Sequence, residues 1–87
     1  MPRLPYDWDP DKAAINTEKH GVRFDEVYGF NWAGAIEAED TRYDYGEVRM
    51  QALGMIGDRA YVLVYTRRGD TLRVISLRKA NRKEAPS

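Results

Sequence analysis

The sequence predicts an α+β domain: an antiparallel β-sheet with two N-terminal helices packed on one face. Three observations carry this. The N-terminal third holds two short segments with helical spacing and helix-end signals. The C-terminal half holds β-branched and aromatic runs joined by short turns. A length of 87 residues leaves room for one layered core, so the whole chain, 1–87, is expected to be a single domain.

The elements follow in order. Tyr6-Asp7-Trp8-Asp9 alternates and reads as a short first strand. Asp9 suits a helix N-cap, Pro10 the first helical position and Asp11 the positive end of the helix dipole. The helix runs over Lys12 to His20 on a thin apolar face of Ala13, Ala14 and Ile15, and Gly21 is its left-handed stop. Such a helix is marginal alone and must lie on something. Phe24, Val27 and Tyr28 are spaced i, i+3, i+4, which predicts a second short helix ending at Gly29. Phe30-Asn31-Trp32 reads as an aromatic connection at the core edge, Ala35 to Asp40 as a strand and Thr41 to Gly46 as a polar turn region. Three stronger strands follow: Val48 to Ile56, Ala60 to Thr66 and Thr71 to Arg78. Gly57-Asp58 and Arg68-Gly69-Asp70 are their turns, and the tail from Lys79 to Ser87 has room for at most a short terminal helix before Pro86. Short turns make sequential strands antiparallel neighbours. With the helices on one face, the other face is expected to stay relatively open.

Composition narrows the function. A hydrophobic fraction of 43% and a charged fraction of 32%, with ten aromatics, belong to a folding chain. Zero Cys removes disulfides and thiolate metal sites and points to the cytosol. The longest apolar run, Ala60 to Tyr65, is too short to span a bilayer, and Met1 to Pro5 has no apolar signal core. The net charge of zero is a cancellation. Residues 1–44 carry five basic and ten acidic side chains, whereas residues 45–87 carry nine basic and four acidic ones. The basic half can present a positive face to a polyanion.

Strand period divides the last strand into Leu72, Val74, Ser76 and Arg78 on one side and Arg73, Ile75 and Leu77 on the other. On the preceding strand Tyr61, Leu63, Tyr65 and Arg67 share a face. Any one Arg here is explained by a stem lying over the sheet edge. Five together, Arg49, Arg67, Arg68, Arg73 and Arg78, suit a phosphate-binding face. Tyr61 and Tyr65 beside Arg67 and Arg73 would serve either base stacking or a plain core. Lys19-His20 at the first helix end complements the dipole, and His20, the sole His, is also a group able to change charge near neutral pH. Glu37, Glu39 and Glu47 are possible bases or Arg partners. Gly54-x-x-Gly57 is not a phosphate loop, and nucleophile-elbow, HExxH and zinc-finger patterns are absent from the sequence.

The residues as a set carry more than their parts. Trp8-Asp9-Pro10-x-Lys12, Asn16-x-x-Lys19-His20-Gly21-Val22-x-Phe24-x-Glu26, Tyr45-Gly46-Glu47-x-Arg49 with Leu53-Gly54, Val64-Tyr65-Thr66-x-Arg68-Gly69-Asp70 and Arg73-Val74-Ile75-Ser76-x-Arg78-x-Ala80 fall in order and at compatible spacing. Together they resemble the BrnT family of toxins over most of the chain; Leu77 departs from the Ala usual there. The resemblance implies a RelE-like fold and a ribonuclease toxin of a type II toxin–antitoxin pair. It also implies a BrnA-like ribbon-helix-helix antitoxin as partner, RNA as substrate, and operator DNA bound only through the antitoxin complex. Metal-independent cleavage needs a base for the 2′-OH, cations on the phosphate and an acid for the leaving oxygen. The catalytic candidates are Lys19, His20, Glu47, Arg67, Arg73 and Arg78; the RNA-binding candidates are Arg49, Tyr65, Arg68 and Ser76. No metal, cofactor or membrane is implied. The alternative is a non-catalytic protein-binding module or transcriptional co-regulator acting through a basic sheet face.

Overall fold

The computed structural model describes residues 5–42 and 44–84. Helix α1 spans Pro10–His20. Its start is set locally: Asp9 accepts from the Asp11 N–H at 2.9 Å, and Pro10 occupies the first turn, where its missing donor costs nothing. Its stop is Gly21 at φ 70°, whose N–H reaches the Thr17 carbonyl at 2.8 Å. The apolar stripe is as thin as expected, and Ile15 is 61% exposed. Asn16, the one buried residue of the helix, anchors it instead. Its side-chain amide donates to the Leu77 carbonyl at 2.8 Å and the Val22 carbonyl at 3.1 Å, and its oxygen accepts from the Leu77 N–H at 3.3 Å.

The expected second helix is a 3-10 helix, Phe24–Gly29, followed by a second such turn, Trp32–Gly34. Six residues ending in Gly close i to i+3 bonds, such as Phe30 N–H to the Val27 carbonyl at 2.9 Å, rather than α-helical ones. Phe24 and Val27 turn inward from it.

Five strands form one sheet: β1 (Tyr6–Asp7), β2 (Ile36–Glu39), β3 (Met50–Ile56), β4 (Arg59–Arg68) and β5 (Thr71–Lys79), in spatial order β1-β5-β4-β3-β2. β3, β4 and β5 pair antiparallel, as their two-residue turns require, and β2 pairs antiparallel with β3 across the longer connection 40–49. The sheet as a whole is mixed, a correction to the antiparallel expectation, because β1 pairs parallel with β5 through Tyr6↔Leu72 and Asp7↔Arg73. Turn length constrains sequential neighbours only, and β1 meets the far end of the chain. β3 begins at Met50 rather than Val48; Val48 is 59% exposed and gives its carbonyl to the Thr66 hydroxyl at 2.7 Å. The tail makes a turn over residues 82–84, with Asn81 Oδ1 accepting from the Lys83 and Glu84 N–H groups at 3.0 Å each. The rest of the expected terminal helix, residues 85–87, and the N-terminal stretch 1–4 lie outside the described residues.

A bulge changes which side chains share a face. Val64 pairs with Ser76 but Tyr65 pairs with Val74, leaving Ile75 as an extra residue in β5. Alternation therefore resets there. Leu72, Val74 and Leu77, opposite Arg67, Tyr65 and Leu63, belong to the core face, and Arg73, Ser76 and Arg78 belong together on the second face. The unbroken period placed Arg73 opposite Arg78, and one inserted residue corrects it.

The core lies between the helical layer and the first face. Val22, Phe24, Val27, Phe30, Ala52, Leu63, Tyr65, Leu72, Val74 and Leu77 are all buried. Trp8, Trp32 and Tyr6 close its rim through edge-to-face contacts. The second face is less open than expected. Ala80 packs on Ala60 and Val62, and the segment preceding β3 crosses the other end of the face.

Gly54 on β3 is required by close approach. A Cβ there would sit 2.6 Å from the Phe30 ring, which is buried and fixed by the Phe30↔Ile56 bridge. Gly54→Ala is expected to destabilise the domain by about 2 kcal/mol through overpacking, read as a lower urea midpoint. An unchanged midpoint would show that the ring has room to move.

Candidate functional site

The second face carries a row of charge across the sheet. The Asp40 N–H extends the β2–β3 ladder to the Arg49 carbonyl at 2.7 Å. Continuing the Met50↔Tyr65 register by one residue sets Arg49 beside Thr66, which pairs with Arg73, which pairs with Asp7. Asp40, Arg49, Thr66, Arg73 and Asp7 thus line up on one face of the sheet.

Five arginines of this face meet four carboxylates, in two kinds of contact. Two contacts are tight and bidentate. Arg42 grips Asp40 with both contacts at 2.9 Å, and Arg78 grips Glu84 at 2.7 and 2.6 Å. The other contacts are loose. Glu47 stands between two guanidiniums, with Oε1 at 3.4 Å from Arg68 Nη2 and Oε2 at 3.5 Å from Arg49 Nε. Arg73 Nη1 is 3.4 Å from Asp7 Oδ2. The Arg49 guanidinium lies 4.0 Å over the Tyr45 ring, and its Nε is buried without a hydrogen bond. Arg49, Arg68 and Arg73 therefore keep donors for an incoming anion, whereas the donors of Arg42 and Arg78 are largely engaged.

The tight pairs shift the carboxyls. Hydrogen bonds from Arg42, with lesser help from Tyr45, lower Asp40 to about 2. Hydrogen bonds from Arg78 and from the Asn81 backbone lower Glu84 to about 2 as well. A folded value below the unfolded one means stability that is complete above the ordinary carboxylate range, about 4, and lost as pH falls through about 2. Asp40→Asn should therefore be less stable than the native sequence near neutral pH, with the gap closing towards pH ~2. Urea unfolding at both ends of that range measures it, and a gap that does not change with pH would contradict the assignment.

The expected site residues separate into groups. Glu47, Arg49, Arg68 and Arg73 come together at the β4–β5 hairpin end, and Ser76 follows Arg73 on the same face. Arg78 lies further along β5, with its Cα roughly 15 Å from that of Arg73 at strand rise. It lies within electrostatic reach of His20. Burial, then Lys19 and Arg78, lower the His20 pKa and favour the neutral imidazole. Lys19, His20 and Arg78 thus form a second station, apart from Glu47. Arg67 is on the core side of the sheet, where it interacts with the Tyr65 hydroxyl. Tyr65 is 1% exposed, packs edge-to-face on Trp32 and donates to Glu37. Burial and that carboxylate raise its pKa. The base-stacking expectation placed Tyr65 at a surface, and the structure places it in the core.

Sequence reasoning passed over Asp7, Asp40, Arg42 and Glu84, which hold or flank the arginines. The signal for Asp40-x-Arg42 was an Asp able to accept from the backbone N–H two residues on, as its Oδ1 does from Arg42 at 3.2 Å. Asp7 and Glu84 gave no local signal, since each meets its Arg through the fold. Among the described residues, no group of three or more His, Cys, Asp or Glu side chains could hold a metal, and no helix is long and apolar enough to cross a membrane.

A small α+β domain with a carboxylate held loosely among arginines has the groups to take a proton and to hold an anion. Residues 8–84 match the family model described as the ribonuclease toxin BrnT of type II toxin–antitoxin systems. The chain belongs to that family, a toxin family whose members are paired with an antitoxin. Comparison with curated proteins gives no match.

Proposed function

We propose that the chain is an endoribonuclease toxin that cleaves RNA without a metal, so inhibiting translation and growth in the cytoplasm, and that a BrnA-like ribbon-helix-helix antitoxin neutralises it. The placement of Glu47 between Arg49 and Arg68, next to Arg73, carries this reading. Glu47 takes the 2′-OH proton. The 2′ oxygen then bonds to phosphorus and the bond to the 5′ oxygen breaks, leaving a cyclic phosphate. Arg49 and Arg73 bear the charge gathering on the phosphate, so cationic side chains do the work a metal would do elsewhere. Arg68 holds the Glu47 carboxylate, and Ser76 donates to a phosphate oxygen along the strand. Lys19, His20 and Arg78 receive the next stretch of backbone, and the leaving 5′ oxygen takes its proton from water. Arg67 and Tyr65 support the sheet beneath.

The test is cleavage of a total-RNA substrate in EDTA by purified protein. Cleavage that persists in EDTA and is lost in Glu47→Gln is the expected result. Intact RNA with the antitoxin still bound would make the domain a binding module instead.

A further inference from the structure

Among the described residues no strand lies outside β2, and all four β2 residues are exposed. The Asp40 N–H bonds inward to Arg49, so by alternation the backbone groups of Ala38 and Ile36 also face β3. Those of Glu37 and Glu39 face outward. The edge therefore offers two residues' worth of unpaired donors and acceptors, which is a template for strand addition.

Side chains state what kind of strand fits. Glu37 and Glu39, opposite Ala52 and Met50, share the core side of the sheet, and no cation of the described residues forms an ion pair with either. Ile36, 68% exposed, and Ala38 share the second face, where Leu53 and the 38% exposed Met55 extend the apolar surface. A second copy of this chain fits badly. Pairing β2 with itself sets carboxylates beside carboxylates, and like charges directly across a ladder are destabilising.

We propose that the β2 edge binds an extended segment of a protein partner whose side chains alternate basic and apolar. The basic residues lie along Glu37 and Glu39, the apolar ones along Ile36 and Ala38, and the partner's backbone pairs with the two outward residues. Such a strand lies roughly 5 Å outside β2, next to the segment bearing Asp40 and Arg42. Identifying the partner as the neutralising protein rests on the toxin reading above, but the pairing itself does not.

The test uses the whole chain, isotopically labelled, without RNA, so that failure of pairing is distinct from failure of the nuclease reading. The probe is a short synthetic peptide of alternating Lys/Arg and Val/Ile. The expected result is slowed exchange of the Glu37 and Glu39 amide protons, with binding that weakens as salt is raised. Glu39→Gln should weaken binding about tenfold and reduce its salt dependence. Glu39→Pro removes an outward donor while sparing the inward ladder, so it should abolish binding with the melting temperature largely kept. Binding without protection of these two amides would overturn the proposal. So would equal binding of an alternating acidic peptide, or a β2-mediated dimer of the chain alone.

Discussion

Asn16→Ala should lower stability by about 3 kcal/mol, and the melting temperature by roughly 15 °C in a domain of this size. The magnitude follows from what the amide closes. β1 covers β5 only at Leu72 and Arg73, so the β5 edge at Leu77 faces the helical layer without a strand beside it. Asn16 supplies what that strand would have supplied, one donor and one acceptor to the Leu77 backbone, 61 residues away in sequence. Removing the amide strands the Leu77 N–H and C=O in a site where Leu77 itself is fully buried, and an unsatisfied buried group costs about 1–3 kcal/mol. The Val22 carbonyl can still take the single proton of the Thr17 hydroxyl at 3.2 Å, which the Ala13 carbonyl at 3.1 Å otherwise competes for, and this bounds the loss. Asn16→Asp separates polarity from shape. It retains size and the acceptor but turns a carboxylate toward carbonyls, so its deficit relative to the native chain should shrink as pH falls and the new group is protonated. Thermal unfolding of both variants across pH measures this. A loss below about 1 kcal/mol for Asn16→Ala, the value of an ordinary hydrogen bond, would show that water replaces the amide there.

What was legible in the sequence is what is local. Asp9, Pro10 and Gly21 set both ends of α1 through bonds spanning a few residues, and the two-residue turns at Gly57 and Gly69 set three antiparallel strands. What was hidden depends on partners far away. Asn16 reads as one more polar residue on a polar helix until Leu77 is brought to it. Ile75 reads as ordinary β-branched strand, because a bulge is set by the register of the neighbouring strand. That one residue decides whether Arg73 and Arg78 share a face. The site shows the same division. Glu47 and Arg49, two residues apart in the sequence, were visible as neighbours, whereas the β4–β5 turn that brings in Arg68 makes the carboxylate two-sided. Tyr65 was misplaced because strand period states which residues share a face and not which face the helices cover.

Glu47→Gln should reduce RNA cleavage by about 10²–10⁴-fold while leaving the fold intact. Both halves follow from the loose geometry. Contacts of 3.4 and 3.5 Å to partly exposed guanidiniums add little to stability, so their loss should scarcely move the melting temperature. The same looseness leaves the carboxylate lone pairs free to take a proton and the guanidinium donors free to take a phosphate. Gln keeps the shape and removes the basicity. Arg49→Ala should cost about 10²–10³-fold as a lost charge-stabilising donor. Arg49→Lys should rescue little, since a guanidinium stacked on Tyr45 presents a planar fork that an ammonium does not. Because the two groups act on one transition state, Glu47→Gln combined with Arg49→Ala should be scarcely worse than the poorer single variant. Single-turnover cleavage, with melting temperature as the folding control, measures all of these. If folded Glu47→Gln cleaves at the native rate and His20→Ala does not, the base belongs at the end of α1 beside Arg78, and the Glu47 cluster is left with phosphate binding alone.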